Sequence, residues 1–124
     1  MLRKILMMLV CMGGLLISAE SHALDQRPPW KILDEALTYL HGVPEVAWVK
    51  FVGDNIVVIG WEGLPKNFAQ INKTAARNAA HALHNEVTVY SLPAEQTSFK
   101  AGAEESYLCK TIANPHEIVE SNCR

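Results

Sequence analysis

The sequence predicts an α+β domain of two layers: an α-β-β-α-β core with an antiparallel sheet, followed by a C-terminal disulfide-tied β-hairpin. Three observations carry that reading. Apolar residues recur at spacings of three and four in Ile32 to Leu40 and again in Phe68 to Leu83, the period of one helix face. Val46 to Val52, Ile56 to Trp61 and Glu86 to Leu92 are rich in β-branched and aromatic residues, the composition of strands. Cys109 and Cys123 lie at equal distances from His116, so a hairpin turning at Asn114-Pro115-His116 sets them opposite each other.

The first 23 residues carry export signals rather than fold. Arg3 and Lys4 precede a mostly apolar run from Ile5 to Ser18, and Ser21-His22-Ala23 follows with small residues at its ends. That order predicts a secretory signal peptide cleaved near Ala23, with an uncleaved N-terminal anchor as the alternative. The apolar run is shorter than the roughly 20 residues of a membrane span. Cys11 lies inside it behind Val10, where a lipoprotein signal would place a small residue. Residues 24–124 are then one small domain, expected to be periplasmic or secreted. Cys109 and Cys123 remain as its two cysteines, and an even count in an exported small domain implies a disulfide. Their spacing is neither that of a thiol-exchange motif nor that of a zinc site.

Each element follows in order. Leu24 to Pro29 is a tether. Trp30 to Leu40 is a helix with Ile32, Leu33, Ala36, Leu37 and Leu40 on one stripe, closed by His41-Gly42 before Pro44. Glu45 to Glu62 is a hairpin about Gly53-Asp54-Asn55. A two-residue turn there puts Ala47, Val49 and Phe51 on one face with Ile56, Val58 and Gly60. Trp48, Lys50, Val57, Ile59 and Trp61 then fall on the other face, and a three-residue turn would swap the second strand. Pro65 to Leu83 is the second helix, with Phe68, Ile71, Ala75, Ala79 and Leu83 as its buried stripe. Its alanines permit close approach to the sheet, with Gly60 expected beneath. Glu86 to Leu92 is a strand with Val87 and Val89 inward and Thr88 and Tyr90 outward. Pro93 to Glu105 is a loop. Ser106 to Ala113 and Glu117 to Cys123 form the last hairpin, pairing Thr111 with Ser121 and Ala113 with Val119.

The stretch Trp30 to Leu92 resembles the BON domain of bacterial envelope proteins in its order of elements. The matching pieces are Asn55-Ile56-Val57-Val58-Ile59-Gly60, Ala75 to Ala82 and Val87-Thr88-Val89. The family has a Gly-Val pair before its last strand where this chain has Asn85-Glu86-Val87, and the C-terminal hairpin is outside the likeness. The resemblance implies an envelope location and contact with lipid or other envelope components.

Net charge is −2, and Arg3 and Lys4 leave with the signal, so the remaining domain is more acidic. It has no general attraction for nucleic acid. No nucleophile elbow, zinc-protease helix or phosphate loop is present. The acidic pairs Asp34-Glu35 and Glu104-Glu105 are read as solvated, and Ser91, Ser98 and Ser106 as scattered. His81 and His84 are three apart on a helix, within reach of one metal, but no further ligands accompany them, and the helix C-terminus itself favours histidine. No metal and no cofactor is expected. The distinctive feature is the second sheet face, assigned Trp48, Lys50, Val57, Ile59, Trp61 and Tyr90. Aromatic residues there need cover, either from the C-terminal hairpin or long loop or from a partner. The sequence therefore points to a non-catalytic binding module that docks an envelope or secreted protein, or itself, on that face. The alternatives are a BON-like lipid binder and a small hydrolase.

Overall fold

Two prolines open the first helix. Pro28 precedes α1 (Pro29–Ala36), and a proline at the first helical position lacks only an N–H that would have no partner there. At Leu37 the chain tightens into a 3₁₀ turn (Thr38–Gly42), so the helix expected to reach Leu40 is split in two. The Thr38 hydroxyl donates to the Asp34 carbonyl at 2.8 Å across this break. The apolar stripe survives the change, and Leu33, Leu37 and Leu40 are all buried. The structure is a computed structural model and describes residues 26–97 and 107–124. The expected signal peptide lies outside the described residues, as do Ser98, Glu104-Glu105 and Ser106.

Five strands form one sheet in chain order: β1 (Val46–Val52), β2 (Ile56–Trp61), β3 (Val87–Pro93), β4 (Cys109–Ala113) and β5 (Ile118–Ser121). The expected antiparallel sheet is in fact mixed. β2 and β3 run parallel, with Val57 beside Val89 and Ile59 beside Ser91. The physical reason is the helix between them, α2 (Phe68–Leu83). A helical crossover returns the chain to the end where β2 began, so the next strand must run the same way. The remaining neighbours are antiparallel.

The first hairpin corrects the facing expected of β2. Val52 pairs with Ile56, which leaves the three residues Gly53-Asp54-Asn55 in the turn. Gly53 takes a positive φ of 62°, which glycine adopts at little cost. With this longer turn, Val57, Ile59 and Trp61 point toward the helices, and all three lie in the main core with Leu33, Leu40 and the α2 alanines. They are not companions of Trp48. Gly60 points away from α2 and sits under the Trp48 indole. An extra residue, Ala47, bulges from β1 between Val46 and Trp48, so Val46 joins Val49 and Phe51 against the core.

α2 lies close to the sheet because its buried face is almost flat. Ala75, Ala76, Ala79 and Ala80 have no exposed surface and meet Val57, Ile59, Val87 and Val89. Phe68 adds an edge-on contact with Trp61, ring centroids 5.9 Å apart. The helix ends at His84 in the left-handed conformation, φ 54°, with the Asn85 N–H bonded back to the Ala80 carbonyl. Leu83 is thus the last helical residue, as the sequence predicts, whereas the first is Phe68 and not Pro65.

The last hairpin extends the sheet rather than folding across it. Thr111 pairs with Ser121 as expected, but Ala113 pairs with Ile118, because Val119 bulges out of β5. Cys109 and Cys123 are joined by a disulfide, with Cα atoms 5.0 Å apart and a sequence separation of 14. The Asn114 side-chain carbonyl accepts from the His116 and Glu117 N–H groups, both at 2.8 Å. This Asx-type arrangement sets the turn.

Candidate functional site

Three of the residues expected on the second sheet face are there: Trp48, Lys50 and Tyr90. They adjoin Val58 and Leu92, which take the places expected for Val57, Ile59 and Trp61. Much of this face is covered from within the chain. The Trp48 indole N–H donates to the Ala94 carbonyl at 2.9 Å, and the Lys50 ammonium donates to the Thr97 carbonyl at 2.8 Å. The same ammonium stands 4.9 Å from the Trp48 ring centroid, a cation–π contact. From the other side, Tyr107 packs edge-on against Tyr90 at 5.0 Å. Both described ends of the long connection after β3 therefore lie over the aromatic face, and Val58, Tyr90 and Leu92 are buried beneath them.

A small polar cluster lies inside the core. The Ser91 hydroxyl accepts from the Trp61 indole N–H at 2.9 Å and from the Asn72 amide at 2.7 Å. Asn72 and Ser91 are fully buried, and the Asn72 side-chain oxygen has no partner. No histidine or carboxylate takes part in these contacts, so Ser91 lacks the base that a serine nucleophile needs. Its hydroxyl anchors β2 to β3 and α2.

A concave feature lies elsewhere. A groove of about 350 Å³ runs between α2 and the β4–β5 turn. Its helix wall is Thr74, Arg77, Asn78 and His81, which recur at spacings of three and four and so form a second, polar stripe beside the alanine face. The facing wall is Asn114, Pro115, His116 and Glu117. Gln70 donates to the Thr74 hydroxyl, and the Asn78 amide donates to the Tyr39 hydroxyl at 3.4 Å. Burial holds the Tyr39 phenol above its ordinary pKa, and the hydrogen bond from Asn78 acts in the opposite direction. Among the described residues neither Arg77 nor Glu117 makes an ion pair.

His81 and His84 stand with ring centroids 6.2 Å apart, and only His81 faces the groove. Among the described residues no three of His, Cys, Asp and Glu converge as metal ligands, and no helix is long and apolar enough to cross a membrane. Sequence reasoning missed this groove. The polar stripe on α2 was visible, but nothing in the sequence announced that the last turn would close over it. Compared with protein-family models, with curated proteins and with solved structures, the chain gives no match.

Proposed function

We propose that the protein is a small exported binding module without catalytic activity, and that the groove between α2 and the β4–β5 turn is its binding site. One observation carries the reading. A permanently charged side chain, Arg77, lines a concave surface with two imidazoles and two side-chain amides, and no carboxylate pairs with it. A groove of about 350 Å³ falls within the size range of small-molecule sites. Export is supported by the order of charged, apolar and small residues at the start of the chain and by the Cys109–Cys123 bridge, a bond that persists in oxidising compartments. Docking through the aromatic sheet face loses support because Ala94, Thr97 and Tyr107 occupy that side.

The test is a ligand screen by two-dimensional NMR, using mixed carboxylates, phosphates, amines and sugars on the disulfide-intact protein. The expected hits perturb Arg77, His81 and Asn114 to Glu117. Hits that instead perturb Trp48, Lys50 and Tyr90, or a panel without any hit, would overturn the proposal.

A further inference from the structure

Resting on that reading of the groove, we infer that its ligand presents an oxyanion, a carboxylate or phosphate group of a small molecule, to the Arg77 guanidinium. The argument begins with charge. Arg77 is the fixed cation of the lining, and Glu117, the one carboxylate there, does not neutralise it in place. A guanidinium presents a planar fork of N–H donors that matches the two oxygens of a carboxylate or phosphate.

The neighbours add donors. His81 lies one helical turn beyond Arg77 and presents its imidazole to the same groove, and His116 does so from the opposite wall. The Asn114 side-chain oxygen is spent on the His116 and Glu117 N–H groups, which leaves its NH₂ as the polar end still to be engaged. The same two bonds hold the turn in shape, so the wall opposite Arg77 is set before any ligand arrives. Preorganisation of this kind lowers the ordering cost of binding. The β4–β5 turn supplies half of the groove.

The experiment titrates the full exported protein, disulfide intact, with inorganic phosphate and separately with succinate, at constant ionic strength. Glucose and ethylammonium chloride are the neutral and cationic controls. Saturable shifts at the Arg77 side-chain N–H and at the Asn114 and His116 amides are expected with phosphate, succinate or both. Saturation by phosphate alone assigns a phosphoryl group, and by succinate alone a carboxylate. Arg77→Gln should weaken the effective anion at least tenfold, while Lys66→Gln, an equal charge loss on an exposed residue outside the groove, should leave it unchanged. Arg77 is itself exposed, so unchanged resonances in the core will show that the variant is folded. If glucose or ethylammonium fills the groove and neither anion does, the oxyanion inference falls and the binding reading stands. If no probe acts on the groove, both fall. Equal weakening by Lys66→Gln, or a response only to phosphatidylglycerol vesicles, would replace the site with a general charge or surface effect and overturn the inference.

Discussion

The Trp48 indole occupies the space that a side chain on Gly60, its paired residue in β2, would need. The ring then reaches past the strand edge to the Ala94 carbonyl. A glycine inside a strand is unfavourable by roughly 0.5–1 kcal/mol relative to alanine. Here it provides the seat for an aromatic side chain that ties β1 to the segment following β3.

Gly60→Ala should therefore destabilise the protein, against the usual trend for glycine replacement. The added methyl group meets the Trp48 ring system itself, which has no flexible end to yield, and overpacking of this kind costs about 1–3 kcal/mol. Urea unfolding followed by tryptophan fluorescence will measure it. An unchanged midpoint would show that Trp48 does not need this seat.

Ser91→Ala removes an acceptor used by two buried donors, the Trp61 indole and the Asn72 amide. Leaving a buried donor unsatisfied costs about 1–3 kcal/mol, so a loss of at least ~2 kcal/mol is expected. Asn72→Leu should cost less, because it also removes the unpartnered amide oxygen. Equilibrium unfolding of the two variants will give the order, and the reverse ranking would mean that the cluster is not held as described.

Reduction of Cys109–Cys123, or replacement of both by serine, should lower stability by about 3 kcal/mol, as the chain-entropy model gives for a 15-residue loop. The Thr111–Ser121 hydroxyl contact at 2.8 Å remains to keep the register. Thermal melts with and without reductant will read the change. Equal melting temperatures would show that the bridge adds no stability.

The Tyr39 phenol should titrate above its ordinary value of 10.0, because burial disfavours the phenolate. Asn78→Leu should raise it further by removing a hydrogen bond that acts the other way. The sign for stability follows from proton binding. The folded state holds this proton more tightly than the unfolded chain, so the contribution is complete below the unfolded pKa and is lost as pH rises through the folded one. Ultraviolet difference titration against Tyr39→Phe will isolate the group, and a midpoint below 10.0 would contradict the burial argument.

The helices, the first hairpin and the disulfide were legible because each rests on a local pattern. Leu33, Leu37 and Leu40 keep their stripe even where α1 tightens, and Cys109 and Cys123 share one face because index symmetry about His116 nearly holds. The facing of β2 was not legible. One more residue in the Gly53-Asp54-Asn55 turn moves Val57, Ile59 and Trp61 to the opposite side, and the sequence permits either length. The parallel pairing of β2 with β3 was available from the helix between them, since such a crossover delivers the next strand in the same direction. The groove was hidden for another reason. Arg77 and His116 are 39 positions apart, and their juxtaposition depends on β4 pairing with β3, which no local pattern encodes.

The bulges at Ala47 and Val119 lie on the two outermost strands, one at each border of the sheet. A straight border strand offers unpaired backbone groups that a foreign strand can copy, and a bulge interrupts that template. β5 is also only four residues long, and β1 carries Lys50, whose charge resists such stacking. The sheet thus ends on both sides in a break of rhythm, which opposes fibre-like growth when many copies crowd together.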